Sequence, residues 1–380
     1  MAGRDDRNHE VTNWAGGGRG WEPDPKKEDP PPPPKQEKEP PKPEQPEKKK
    51  IFGAALGGTG VVCGRFLPVH RGHQYVIDVA RGSVEDLLVL VFSSPRDPIA
   101  GAVRVRWLRE LYPDISVELV DRDVSVVDLG ELVRAVAHHR EDPPRYFFAS
   151  ELEYAHAAIA LGATFVPVDP TRVVFPTSGT SLRADVLRHF EMLPPNVRPW
   201  FARRVAVIGA ESTGKSTLCA QLAAHYATIA VPEYARTLAE TRGGDLDADA
   251  LALAARGQLA SEDALARSAN RVLFCDTDVR SVALWAERLH GDALLHPTAE
   301  ARPYDLVLVT SLDEPFAGRA DRDHPAARRA FHDRVRASVP PDARIVELAG
   351  DRSARLEQAI VAVDELLAAG GFLAARAAHL

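Results

Sequence analysis

Residues Gly209-Ala210-Glu211-Ser212-Thr213-Gly214-Lys215-Ser216 carry the spacing G-x-x-x-x-G-K-[ST]. The run before them, Arg204-Val205-Ala206-Val207-Ile208, is apolar and β-branched, as a strand buried on both faces must be. The stretch from Lys215 to about Tyr226 reads as a helix. Strand, glycine loop and helix in that order let a phosphate sit among loop N–H groups at a helix N-terminus. Composition supports the motif. Between Ile51 and Leu380 the chain has 35 Arg and one Lys, and that Lys is Lys215. An ammonium on a flexible stem acts as a point charge on phosphates, where a planar guanidinium fits poorly.

Lysine usage also marks a boundary. Residues 1–50 hold eight Lys, three Arg and eleven Pro, with a proline run from Pro30 to Pro34 and almost no apolar content from there to Lys50. Such a segment cannot bury enough surface to offset its ordering entropy, so it reads as a disordered, extended tail with polyproline II character. Two roles stay open for it, a passive tail and a proline-motif docking segment. Its 11 basic and 11 acidic residues cancel, so the formal charge of −7 belongs to the body. An acidic body argues against a general nucleic-acid binder. The start lacks an apolar signal-peptide core, and no apolar run is long enough to cross a bilayer, so a cytoplasmic location without membrane contact is expected. Cys63, Cys219 and Cys275 lie far apart and read as small core residues of a reducing compartment, with no zinc-ligand spacing.

The rest of the chain suggests two α/β domains, 51–193 and 203–380, joined by a linker at 194–202 where prolines end the helical pattern. In the first, the runs Val61–Cys63, Leu87–Phe92, Ile115–Val120, Tyr146–Ala149 and Thr164–Val168 alternate with helical patterns near His73–Ala80, Val103–Leu111, Leu129–His138 and Tyr154–Leu161. That alternation indicates a parallel, doubly wound sheet, whose ligands bind beyond the carboxyl ends of its strands. The loop after the first strand reads Gly64-Arg65-Phe66-Leu67-Pro68-Val69-His70-Arg71-Gly72-His73. His70 and His73, with Gly72 between them, open a helix and suit a phosphate better than a metal, because no third ligand has suitable spacing. Near the end of the domain, Thr177-Ser178-Gly179-Thr180-Ser181-Leu182-Arg183 has the look of a capped helix start able to hold an anion, with Arg183 in its first turn.

The Gly-x-Phe-x-Pro-x-His-x-Gly-His loop and the Ser-x-Thr-x-x-Arg motif resemble those of HxGH nucleotidylyltransferases. Three further segments, Arg96 to Arg109, Phe147 to Glu151 and Val166 to Pro170, are similar to bifunctional NadR-type proteins. In that family a nicotinamide mononucleotide adenylyltransferase is followed by a ribosylnicotinamide kinase, and the resemblance covers about residues 58–370. It implies a Rossmann-like nucleotidylyltransferase domain followed by a P-loop kinase domain. Gly64, Arg65, Phe66, His70, Gly72 and His73 would then surround ATP, with the two histidines on its phosphates. Ser178, Thr180 and Arg183 would hold the β- and γ-phosphates that leave as pyrophosphate. The mononucleotide's phosphate attacks directly, so no covalent enzyme intermediate is needed, and Mg²⁺ travels on the triphosphate. Trp107 either stacks on the nicotinamide ring or packs in the core.

In the second domain the loop Gly209, Glu211, Ser212, Thr213, Gly214 cradles phosphates together with Lys215, Ser216 holds Mg²⁺, and Thr217 stands near the α-phosphate. Past the next strand come Glu233, Tyr234 and Arg236, a carboxylate and a cation suited to a ribose hydroxyl and a moving phosphate; an ordinary ion pair is the other reading. A further strand, Val272–Cys275, ends in Asp276-Thr277-Asp278, with Asp276 the favoured metal-organising or catalytic acid and Asp278 nearer the substrate. Which acid receives the hydroxyl proton stays open. Arg319 and Arg322 are both candidates for a lid arginine, although the segment from Glu314 departs from the family's Asp-Gly-x-Arg pattern. Trp285, in a helix over Arg280–His290, lines a riboside pocket or packs the core. The expected activity is phosphorylation of nicotinamide riboside and adenylylation of the mononucleotide to NAD. Pantetheine-phosphate adenylylation with dephospho-coenzyme A phosphorylation is the enzymatic alternative, and a nucleotide-sensing regulator the non-enzymatic one. A homo-oligomer stays open.

Overall fold

The structure, a computed structural model, describes residues 57–121, 129–139, 141–244, 246–291, 302–313 and 325–369. The tail expected over residues 1–50 and the lid candidates Arg319 and Arg322 lie outside the described residues. Two five-stranded, wholly parallel sheets organise the body. The first contains β1 (Thr59–Gly64), β2 (Asp86–Ser93), β3 (Ser116–Asp121), β4 (Tyr146–Ala149) and β5 (Thr164–Pro167), in the order β3-β2-β1-β4-β5. The second contains β6 (Arg203–Ile208), β7 (Ile229–Val231), β8 (Val272–Asp276), β9 (Leu306–Thr310) and β10 (Ile345–Leu348), in the order β10-β9-β6-β8-β7.

Helices α1 (Arg71–Ser83), α2 (Gly101–Leu111), α3 (Leu129–His139), α4 (Ala155–Ala160) and α5 (Gly179–Ala184) accompany the first sheet, and α6 (Arg198–Phe201) leads into the second. There α7 (Lys215–His225), α8 (Tyr234–Thr241), α9 (Ala248–Ala266), α10 (Val279–His290), α11 (Pro325–Ala337) and α12 (Arg352–Ala368) follow. Strand periodicity divides each core into two faces. Val61, Leu88 and Leu90 pack with Leu132 and Val136 of α3, whereas Val62, Val89 and Val91 share a cluster with Ile77 and Leu108 of α1 and α2. Likewise Val205 and Val207 meet Leu218 and Leu222 of α7, while Ala206 and Ile208 join the cluster of Phe331 and Val335 of α11. The three cysteines are buried, as their apolar settings require.

Both sheets place a central strand at a reversal of chain direction across the sheet. β1 lies between β2 and β4, and β6 lies between β8 and β9. The crevice for a ligand therefore opens past the carboxyl ends of β1 and β4 and of β6, β8 and β9, where the two glycine-containing loops stand.

Two features differ from the reading of the sequence. Arg183 falls in the last turn of α5, not the first, because the helix begins only at Gly179, after the Ser178 cap. The proline-marked linker is itself core: Leu193, Val197 and Ala202 are buried, and the Asn196 amide donates to the Trp107 carbonyl at 2.9 Å. Pro199 stands in the first turn of α6, and Pro194 is buried while Pro195 is exposed.

Arg104 is the largest fully buried side chain. It donates to Asp97 Oδ2 at 2.7 Å, to Ser93 Oγ at 3.0 Å, to the Phe92 carbonyl at 3.0 Å and to the Arg65 carbonyl. One side chain on α2 thus fastens the end of β2 to the loop after β1. Without Arg104 the Asp97 carboxylate keeps only Arg65 as a cation, and two carbonyls and the Ser93 hydroxyl lose a buried donor, a cost of about 3–5 kcal/mol. Arg104→Leu is expected to lower the unfolding free energy by that order, read from urea titration followed by circular dichroism, whereas Arg109→Leu on the exposed face changes it little.

Candidate active sites

The first site lies past the end of β1. His70 is the N-cap of α1, with extended backbone (φ −144°, ψ 169°), and its Nδ1 accepts from the N–H of Gly72 at 3.1 Å and His73 at 3.4 Å. An Nδ1 that accepts must be unprotonated, so a neutral His70 carries its proton on Nε2. The His70 and His73 rings stack at 3.7 Å, and Phe66 meets His73 edge-on at 4.9 Å. Burial, then the charge of Arg172, lower His70 to about 3. Burial, then His70 and Arg172, hold His73 well below the usual imidazole range, against the opposing effect of the Pro68 carbonyl. His73 Nδ1 is buried and has no partner. Both rings are therefore neutral at physiological pH.

Gly72 has a local reason. A Cβ there would lie 3.0 Å from the His70 ring, so a side chain would push the cap aside. Gly64, Arg65, Phe66, His70, Gly72, His73 and Ser178 line one cleft. Arg65 pairs with the buried Asp97 carboxylate. Thr180 and Arg183 stand beside that lining: Arg183 donates to the Leu67 carbonyl at 2.9 Å and to Thr180 Oγ1 at 3.0 Å. Ser178 and Ser181 form a reciprocal capping box on α5. The cleft has a further wall, with Glu151 paired to Arg172 at 2.8 Å and Asp169 accepting from the N–H of Val173 at 2.8 Å; Glu151 and Asp169 fall in two of the family-like segments, whereas Arg172 was not singled out. These residues follow β4 and β5, whose carboxyl ends border the crevice. Trp107 does not line this cleft. It is 4 % exposed and packs edge-on against Trp200 at 5.6 Å, so of its two readings the structure shows the core.

The second site is built on the loop from Gly209 to Ser216. Gly209, Ser212 and Gly214 have φ of 142°, 54° and 84°. A Cβ on Gly209 would also meet Thr310 Oγ1 at 2.6 Å, so this position is closed to other residues. Lys215 is buried, and its Nζ donates to the Ala210 carbonyl at 2.9 Å; Thr213 Oγ1 donates to the same carbonyl at 2.8 Å. Two arginines far along the chain complete the loop. Arg328 of α11 donates to the Glu211 carbonyl at 3.0 Å, and Arg355 of α12 donates to the Thr213 carbonyl at 2.8 Å. Neither was found from sequence, because an arginine within a helix carries no mark of its distant acceptor. Thr217 lines a small recess with Gly214 and Arg355.

Facing the loop, Arg236 donates to Glu233 Oε2 at 2.8 Å and to Ser216 Oγ at 2.6 Å, and lies 3.9 Å from Asp276. Burial raises the Glu233 carboxyl above its ordinary range, against the lowering effect of Lys215 and Arg236. Asp276 is 4 % exposed, and its Oδ1 is buried without a partner. An orphaned carboxylate oxygen beside a serine hydroxyl is a hard-oxygen donor set that fits Mg²⁺. Among the described residues no group of three or more His, Cys, Asp and Glu is arranged for a metal. Tyr234 opens α8, and its N–H donates to Oε1 of the wholly buried Gln258 at 3.0 Å. Asp278 differs from its expected substrate-facing place. It is 2 % exposed and caps α10, accepting from Ser281 N–H at 2.9 Å and Ser281 Oγ at 2.6 Å, because a helix starting directly after β8 needs that acceptor. Trp285 packs at 4.9 Å from Phe331, with Arg288 over both rings.

The neutral histidines generate a prediction. The unfolded state protonates them below about pH 6.5 while the folded state resists until about 3 at His70, so the unfolded chain binds more protons in that window. Stability from this source is complete above pH 6.5 and falls as the pH drops through the window. His70→Asn keeps a good helix cap and removes one titrating group. Its stability, measured in urea between pH 7 and 4, should decline less steeply than that of the unaltered protein.

Comparison with known proteins agrees with this arrangement. Residues 204–355 match the family model described as an AAA domain. The trifunctional NAD biosynthesis/regulator protein NadR of Salmonella typhimurium is 29% identical over 293 residues, covering 68% of this chain and 70% of the relative. The protein of the same name from Escherichia coli K12 is 29% identical over 291 residues, with the same coverage. A crystal structure of NadR protein in complex with NR aligns with TM-score 0.63 and 26% identity over 83% of this chain and 97% of that one. A second NadR structure, in complex with NAD and AMP-PNP, shares the fold with TM-score 0.63 at 24% identity, over 83% of this chain and 98% of that one. With these similarities extending over most of the chain, including both sheets, the chain resembles NadR-type proteins.

Proposed function

We propose that this chain works in NAD biosynthesis as a two-site enzyme. Its P-loop domain phosphorylates nicotinamide riboside with ATP. Its HxGH-type domain adenylylates the resulting mononucleotide to NAD and releases pyrophosphate. The observation that carries the reading is the presence of two separate anion cradles with different chemistry in one chain, neutral histidines at a helix N-terminus after β1 and a lysine loop facing acids after β6. The names of the curated relatives support the pathway, and the relative solved with NR, read as nicotinamide riboside, supports the acceptor.

In the kinase site the loop N–H groups and Lys215 hold the β- and γ-phosphates, and Ser216 and Asp276 would hold Mg²⁺, which neutralises phosphate charge when bound. Arg236 leaves Ser216 as the nucleotide enters and turns to the transferring phosphoryl group. Glu233, whose raised carboxyl has a greater proton affinity, orients the 5′-hydroxyl and accepts its proton. Asp278 holds α10 in place from behind. In the adenylylation site His70 Nε2–H and His73 stabilise charge on the α-phosphate, and Arg65, Ser178, Thr180 and Arg183 hold the departing phosphates. In the adenylylation, positioning and charge stabilisation suffice, whereas the phosphorylation adds the proton acceptor Glu233.

Product analysis by HPLC with ATP, Mg²⁺ and nicotinamide riboside tests the proposal. The unaltered protein should form NAD. Lys215→Ala should lose riboside phosphorylation by about 10²-fold or more and still convert supplied mononucleotide to NAD; His73→Ala should accumulate mononucleotide. Formation of neither product defeats the proposal. Glu233→Gln should lower kcat for riboside phosphorylation by about 10²–10⁴-fold, and the acid limb of the kinase pH profile should lie above the ordinary glutamate range and disappear in that variant.

A further inference from the structure

Glu233, the proton acceptor of the proposed phosphorylation, occupies the N-cap position of α8 and makes no cap bond with its side chain. Its carboxylate is turned to Arg236 instead, at 2.8 Å. A helix start leaves its first N–H groups without intrahelical acceptors. The first of them here, on Tyr234, is met from outside the helix: Gln258 Oε1 of α9 accepts it at 3.0 Å. The same tyrosine is held at its other end. A Cβ on Gly257 would overlap the Tyr234 ring, so the ring lies against the backbone of α9 where no side chain stands.

Neither residue is explained by the stability of α9. Glycine inside a helix costs about 0.5–1 kcal/mol relative to alanine, and Gly257 lies well within Ala248–Ala266. Gln258 is fully buried. Because the Tyr234 N–H is a donor, the amide must present its oxygen there. Its Nε2 is then buried with no acceptor among the described residues. A buried donor without a partner costs about 1–3 kcal/mol. These two neighbours each weaken the helix they belong to, and they meet the two ends of one side chain and its backbone. Such local conflicts mark places where position matters more than stability.

We propose that Gly257 and Gln258 are positioning residues for Glu233. Clamping Tyr234 by ring and N–H, they fix the chain at the entry to α8 and so aim the preceding carboxylate at the hydroxyl it deprotonates. Without the clamp, that carboxylate would be drawn to the unmet N–H groups of α8, as anionic groups at helix starts are. The inference rests on the proposed kinase reaction.

The test is steady-state riboside phosphorylation by the full-length protein and three variants. Gln258→Met keeps the length of the side chain and removes the strong acceptor, Gln258→Glu restores an acceptor, and Gly257→Ala favours the helix but displaces the ring. Gln258→Met and Gly257→Ala should each lower kcat at least about tenfold, with KM for ATP unmoved. Gln258→Glu should recover most of the kcat lost in Gln258→Met. Urea unfolding of each variant reports whether it is folded. An unmoved kcat in folded Gln258→Met and Gly257→Ala overturns the proposal. So does a Gln258→Glu kcat no higher than that of Gln258→Met, or a KM for ATP that rises as kcat falls, the mark of general loosening. If the unaltered protein forms no mononucleotide, the kinase reaction itself fails and this role with it. An active unaltered protein with unmoved variants removes the positioning role alone.

Discussion

A loop that offers its N–H groups to an anion leaves its carbonyls for the protein to satisfy. That constraint recurs at both sites and sets much of what surrounds them. In the first, Arg104 serves the Arg65 carbonyl and Arg183 the Leu67 carbonyl. In the second, Lys215, Arg328 and Arg355 serve Ala210, Glu211 and Thr213 in turn. The donors come from helices far apart in the chain, so each loop has its shape only when its whole domain is folded. Arginine suits this duty because several N–H groups on one rigid plane reach more than one acceptor.

The two cradles handle charge in opposite ways. The histidine rings are kept neutral by burial and by the charge of Arg172, with Arg65 and Arg183 also near them. The lysine loop faces Glu233 and Asp276, with Arg236 between them. Carboxylates there suit a hydroxyl acceptor and a divalent ion. In the proposed function, the same helix-after-strand architecture would serve a direct attack by a phosphate in one domain and a proton-coupled attack by a hydroxyl in the other.

Much of this was legible before the structure. The Gly209–Ser216 loop, the His70/His73 pair and the parallel α/β class all follow from local spacing and periodicity, which neighbouring residues impose on each other. Trp107 and Asp278 show where such reasoning stops. An indole near a motif can face a ligand or the core, and Trp200, 93 positions away in the chain, settles it. An aspartate after a strand can face a substrate or cap a helix, and the immediate start of α10 settles that. Arg328, Arg355 and the pairing of Arg172 with Glu151 were out of reach because their partners depend on how distant elements cross.

Local chemistry is written in short stretches: a glycine where φ must be positive, a histidine where a helix needs a cap, a single lysine where a phosphate needs a mobile charge. Those stretches specify what each loop can hold. Folding adds the relation between them. It makes the proline-rich segment at 194–202 part of the core, brings Gln258 of α9 to the first N–H of α8, and supplies the long-range donors that fix the loops. Burial and hydrogen-bond satisfaction are properties of three-dimensional neighbourhoods, and no spacing along the chain encodes them directly.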